Sequence, residues 1–391
     1  MKTVGIIAEY NPFHNGHLYQ INKIKEMFPS STIILILSGN FLQRGDVSIL
    51  NKWTKTKIAL ENKIDLVVEL PFPFATQSAD IFAHGAISIL NDLKVDYLVF
   101  GSESDDIESL KTLAEVQLYH PEYRALAKLF LDEGRNYPTA LSLALKEITK
   151  KEITLPNDIL ALSYIKEIIK TKSNITPISI KRTNNYHDTK LYNNIVSATA
   201  IRKALAENKD IKKYVPNNTY QSLLKEQNHI EKLFPFFKYK VLSDNNLSNY
   251  QTTDEGIEKR LIKEIKDVNS FDELIKKIKT KRYTYNRLMR MCIHILCSFT
   301  KEEAAKFREV EYIRLLGFSN KGKNYLNKIK KELTLPVLSN YSPKVSDMLS
   351  LEMRATSIYS LLLKEESNDL IEKEYKMSPI NIDNILKEKR D

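Results

Sequence analysis

Two histidines three residues apart, His14 and His17, stand within Ile7-Ala8-Glu9-Tyr10-Asn11-Pro12-Phe13-His14-Asn15-Gly16-His17-Leu18-Tyr19-Gln20. An apolar run ends just before them and a helical pattern begins at Gly16. The pair therefore sits where a phosphate would meet a helix amino terminus, with free N–H groups and the helix dipole favouring an anion. Side chains three apart share a helix face. Two imidazoles there could hydrogen-bond an α-phosphate as it becomes five-coordinate, and adenylyl transfer needs little beyond such positioning and charge stabilisation. Gly16 puts no side chain in a nucleotide's way, and Pro12 fixes the approach to the helix. The plain alternative is a pair of structural histidines in a polar turn. A bare H-x-x-H would favour it; the strand–turn–helix context favours the chemistry. Zinc is a weaker competitor, because two histidines supply half a site and no Cys, Asp or Glu stands at ligand spacing nearby.

The surrounding elements are of a kind that could hold such a turn. Strands are expected over 3–8, 32–37, 66–70, 97–100 and 178–181, each apolar on both faces as in a parallel sheet covered by helices. Helical stretches over 16–27, 52–61 and 79–90 alternate with them, which predicts a doubly wound α/β sheet, Rossmann-like, with its ligands beyond the carboxyl ends of the strands. From about residue 210 strand-like runs nearly vanish and Lys, Glu, Leu and Ile recur at helical spacing, as over 256–266 and 271–279. Pro216-Asn217-Asn218 supplies a turn near the change, and Pro336 and Pro343 mark a later break. The expected division is a catalytic domain over 1–210 and a mainly helical, basic domain over 211–391. The chain of 391 residues is 42% hydrophobic and carries a net charge of +10, so a large core and a polyanionic partner are both in reach. No apolar run reaches the length of about 18 residues that a membrane span needs. Cys292 and Cys297 match neither a zinc knuckle nor a redox pair, which fits a reducing cytoplasm.

The histidine segment resembles the HIGH-type signature of the nucleotidyltransferase superfamily. A second signature of that superfamily, a Ser/Thr-rich turn ending in Arg, is matched by Ser197-Ala198-Thr199-Ala200-Ile201-Arg202. Ser197 or Thr199 would cap the next helix, while Arg202 would reach the β- and γ-phosphates or the leaving pyrophosphate. The match narrows with Ser38-Gly39-Asn40-Phe41-Leu42-Gln43-Arg44-Gly45, residues 65–71, Phe100-Gly101-Ser102-Glu103 and Leu155-Pro156-Asn157-Asp158-Ile159-Leu160. Tyr186-His187-Asp188, Lys281-Arg282-Tyr283-Thr284 and Tyr312-Ile313-Arg314-Leu315-Leu316-Gly317 continue it. Together they resemble the tRNA(Met) cytidine acetate ligase family, over nearly the whole chain.

That resemblance implies an ATP pocket running from Ile7 through Gln20 and completed by Gly101, Asn157, Arg182, Ser197 and Thr199. It implies catalysis by His14, His17 and Arg202, with Mg2+ as a companion of the nucleotide. The partners it implies are acetate and elongator tRNA(Met), acetylated at N4 of the wobble cytidine. Asn40 and Arg44 are candidates for holding acetate. Lys52 and Lys57 would track tRNA phosphate or solvate a helix face. Lys281, Arg282 and Arg287, interleaved with Tyr283 and Tyr285, suit phosphate and base contacts; the competing reading is an amphipathic helix with solvated arginines. Two other functions share parts of this pattern: a small-molecule adenylyltransferase, which has no need of a long basic half, and a catalytically silent RNA-binding protein.

Overall fold

The computed structural model describes residues 2–182, 195–342, 345–363 and 367–388; Tyr186-His187-Asp188, Pro343 and the charged residues 389–391 lie outside them. Five strands expected from their apolar runs form a parallel sheet in the order β5-β4-β1-β2-β3. They are β1 (Thr3–Ala8), β2 (Thr32–Ser38), β3 (Leu66–Leu70), β4 (Tyr97–Ser102) and β5 (Thr176–Lys181). Every residue of β2 and β3 is buried, the result of helices on both faces. Strand order reverses between β1 and β4, so the crevice beyond their carboxyl ends is the natural ligand site. The histidine turn leaves β1 at that point.

The stretch beyond residue 210 is mainly helical, as its spacing suggested, and still supplies three short strands among the described residues. It returns to the sheet. β6 (Ile313–Phe318) pairs antiparallel with β3, with a bulge between Val67 and Val68. β7 (Val337–Leu338) and β8 (Ile380–Asn381) pair parallel with β6. A six-residue strand interrupted by Arg314 is easily lost in a helical neighbourhood, yet the edge of β3 needs a partner. Among the described residues no helix is long and apolar enough to cross a membrane.

A correction concerns Lys52, expected to face solvent or RNA. The helix Lys52–Glu61 lies between the sheet and the carboxyl-terminal elements, and Lys52 is sealed from solvent. Its Nζ lies 2.9 Å from both carboxylate oxygens of Glu69 and 3.0 Å from Glu374 Oε2. Trp53 Nε1 donates to the other Glu374 oxygen at 3.1 Å. Buried Glu352 completes the cluster by accepting the Phe72 N–H at 2.7 Å, and burial with the neighbouring Glu69 charge holds its carboxyl well above the usual range. Lys57, one turn on, is exposed.

Candidate active site

The turn after β1 is built from the core outward. Tyr10 and Phe13 are buried and meet edge to face at 4.8 Å, so they prop the turn from inside. Asn11 is equally structural: Oδ1 accepts the Ile49 N–H at 2.7 Å and its carbonyl accepts Arg202 Nη1 at 2.7 Å. The Asn11-Pro12 peptide is cis. The helix Asn15–Met27 then starts on an unusual cap. His14 Nδ1 accepts the Gly16 N–H at 3.0 Å, and His17 Nδ1 accepts the His14 N–H at 3.2 Å. This is the reciprocal box that Ser and Glu ordinarily make, here made by two imidazoles. A ring nitrogen that accepts from a backbone N–H carries no proton, so each neutral ring keeps its proton on Nε2.

The two rings stack, with centroids 3.8 Å apart and planes inclined by 21°. Burial, then the charges of Arg182 and Arg202, push His14 down to about 3. Burial, His14 and Arg182 hold His17 well below the ordinary value. At neutral pH both rings are therefore uncharged donors. They line a cavity of about 70 Å³ with Gly16, Gly101, Arg182 and Ile195. That is room for a phosphate group, not for a whole nucleotide. Arg182 Nε is buried there with no hydrogen-bond partner among the described residues. Gly101 matters by closeness: a Cβ on it would stand 3.3 Å from Arg182 Cγ. Gly16 matters for a different reason than expected, since a Cβ would lie 2.8 Å from His14 Cε1 and disturb the ring that caps the helix.

Other sequence candidates divide. Ser197 caps the helix Ala198–Ala206 by accepting the Ala200 N–H at 3.1 Å, and Arg202 Nη2 stands 3.5 Å from Thr199 Oγ1. Asn157 donates its side-chain amide to Glu103, which also accepts the Asp158 N–H at 2.9 Å. Gln20 and Asn15 spend their amides on the carbonyls of Val99 and Lys213. Tyr19 lines the small cavity; Ile7, Ala8 and Leu18 pack on the core. Asn40 lines neither this cavity nor the larger one beyond the loop that follows β2, a correction to its candidacy for acetate. It is buried, its Oδ1 accepts the Lys52 N–H at 3.0 Å and its amide faces Thr356 Oγ1 at 3.3 Å. Arg44 does not line the histidine cavity; it lines the larger one, where burial lowers its pKa.

Sequence reasoning passed over Lys55. Its Nζ donates to the carbonyls of Glu9, Ser38 and Gly39 at 2.9, 2.7 and 2.8 Å, tying together the ends of β1 and β2. Three acceptors use all three ammonium protons, which offsets part of the burial that pushes this lysine down to about 7. Nearby, Glu9 Oε1 accepts the Gln43 N–H at 2.7 Å, and Arg290 Nη1 donates to the Gln43 carbonyl at 3.0 Å. This loop borders a second cavity of about 760 Å³, to which Arg44, Arg282, Arg287 and Arg290 contribute. Arg287 stacks on Tyr283 at 4.9 Å, whereas Lys281 is exposed and outside the lining.

Three comparisons agree with this geometry. The family described as HIGH Nucleotidyl Transferase matches residues 1–374. A tRNA(Met) cytidine acetate ligase of Caldicellulosiruptor saccharolyticus is 42% identical over 98% of this chain and 99% of its own. One from Anoxybacillus flavithermus is 40% identical over 97% and 100%. Apo TmcAL of Thermotoga maritima superposes with a TM-score of 0.91 at 30% identity, over 97% of this chain and 99% of that one. The same enzyme bound with alpha-thio ATP gives 0.88, with the same identity and coverage. With its histidine-capped helix at the switch point of a parallel sheet, this chain belongs to the tRNA(Met) cytidine acetate ligase family of HIGH nucleotidyl transferases.

Proposed function

We propose that this protein is an ATP-dependent ligase that acetylates N4 of the wobble cytidine of elongator tRNA(Met) through acetyl-adenylate. The histidine pair carries the reading: two neutral imidazoles commit Nδ1 to the backbone and keep an Nε2–H to donate, beside a phosphate-sized cavity. An acetate oxygen attacks the α-phosphorus of ATP and pyrophosphate leaves. His14 and His17 donate to the oxygens that gain charge, where preorganised donors lower the barrier most. Arg182 and Arg202 balance the phosphate charge, Arg202 on the pyrophosphate side. The adenosine rests along Gly101 with Asn157 at its edge, and Arg44 receives the acetate carboxylate. The cytidine amine then attacks the acetyl carbon, AMP leaves, and the amine gives up a proton. That amine is a poor nucleophile, which is why the acid must first be activated.

The relatives' names and the α-thio ATP complex of the Thermotoga protein support ATP and tRNA as substrates. In a chain of net charge +10, Lys281, Arg282 and Arg287 supply phosphate contacts from the 211–391 half, which serves as the tRNA-binding domain. Mg2+ would travel with the nucleotide; among the described residues no group of three or more His, Cys, Asp or Glu converges to hold it. The cytoplasm is where such a tRNA substrate is found. The test is incorporation of radiolabelled acetate into tRNA(Met) transcript with ATP, comparing wild type, His17→Ala and a transcript with uridine at the wobble position. Label that requires ATP, His17 and the wobble cytidine establishes the reaction; no label from folded, ATP-binding protein refutes it.

A further inference from the structure

The 760 Å³ cavity lies between the helices Tyr137–Thr149 and Pro156–Lys170 on one side and the helix Tyr285–Leu296 on the other. It shares no lining residue with the histidine cavity. Part of its wall is apolar, from Leu141, Ile153 and Ile159. Five cationic side chains line it against two carboxylates, Asp80 and Asp254. Both carboxylates are already engaged. Asp80 takes Lys166 at 2.6 Å and Ser163 at 2.9 Å, while Asp254 takes Lys301 at 3.1 Å and Arg287 at 3.6 Å. Arg290 holds the Gln43 carbonyl and, among the described residues, forms no ion pair. Tyr137, 49% exposed, is the one aromatic ring in the lining.

An apolar wall with a free ring is wasted on bare phosphate, and a surplus of guanidinium is wasted on an apolar ligand. An unstacked nucleotide uses both. His14, His17 and Arg202 are absent from the lining and only Arg44 reaches it from the acetate side, so a base seated here lies beside the acetyl group without facing the histidine pair. Resting on the ligase reading, we propose that the cavity takes the anticodon-loop nucleotide next to the wobble cytidine. Its base lies on Tyr137 and its phosphate among Arg282, Arg287 and Arg290. The cavity is thus a specificity site, holding the neighbour so that the cytidine is delivered to the adenylate.

The test is a double-mutant cycle on binding of a fluorescent tRNA(Met) anticodon stem–loop, followed by anisotropy. Tyr137→Ala should weaken binding by about 5- to 100-fold, the range of one base–aromatic stack. Removing the flanking base should weaken wild type comparably, and the two losses should not add. Tyr137→Phe, which keeps the ring, should bind as wild type does. Additive losses at both flanking positions, or none, overturn the proposal. Acetate-dependent ATP–pyrophosphate exchange by wild type reads the ligase assignment separately. Coupling without exchange refutes that assignment and leaves the nucleotide seat standing; exchange with additive losses does the reverse.

Discussion

Lys52 Nζ stands equidistant, at 2.9 Å, from the two carboxylate oxygens of Glu69, and both side chains are almost wholly shielded from water. A buried pair of this kind adds little over an apolar substitute, yet removing one partner strands the other. Lys52→Ala should therefore cost about 3–5 kcal/mol of unfolding free energy, and exposed Lys57→Ala no more than about 0.5 kcal/mol. Urea denaturation of both variants measures the contrast. Equal, small effects would mean that Glu69 and Glu374 are not charged together against Lys52.

His17 has two duties, capping and donation, and one substitution separates them. His17→Asn keeps an acceptor near the position of Nδ1 and loses the Nε2–H. ATP–pyrophosphate exchange should fall about 100- to 1000-fold, the usual cost of one preorganised donor, with a melting temperature close to wild type. A large melting shift with intact exchange would assign the ring to the cap alone.

Protonation of His14 sets a pH dependence of stability. Folded His14 takes no proton until pH approaches about 3, whereas the unfolded imidazole takes one near 6.5. Across that window the unfolded state binds more protons, so stability falls as pH drops below 6.5. From pH 7 to pH 5 this one group should withdraw about 2 kcal/mol, and His14→Asn should lose that much less over the same interval. Denaturant titrations at the two pH values decide it; identical drops in both proteins would contradict a buried neutral ring.

Gly16→Ala sets two effects against each other. Alanine favours a helix over glycine by up to about 1 kcal/mol, but its Cβ would press on His14 Cε1 at 2.8 Å and Nδ1 at 3.0 Å. The ring must turn, and with it Nε2. Exchange activity should fall at least about tenfold, a modest share of what one oriented donor supplies, while the melting temperature holds or rises. Undiminished exchange would show that the ring has room to adapt.

Much of this was legible in the sequence where one residue type admits one environment. Runs apolar on both faces announced β1 to β4, the isoleucines of β5 marked a strand although none of its residues is buried, and histidines at a strand–helix junction marked the candidate site. What escaped notice depended on partners distant along the chain. Lys52 looks solvent-facing by residue type, and only Glu69 and Glu374 make its burial tolerable. Asn40 looked free because the backbone of Lys52, which occupies it, is a partner that composition cannot announce. The imidazole cap was hidden because Ser, Thr, Asp and Asn are the usual cap residues. β6 was hidden because its only demand came from the bare edge of β3.

The antiparallel closure of β3 by β6, with β8 behind it, also fixes an order of events during synthesis. Chains emerge amino terminus first, so the histidine turn leaves the ribosome long before the strand that covers the sheet containing it. A nascent chain halted near residue 210 would show β3 with an open ladder and Lys52 without Glu374. The sheet closes late, once the polypeptide has been made through β8, and a message truncated before β6 would leave the β3 edge as a template for other chains.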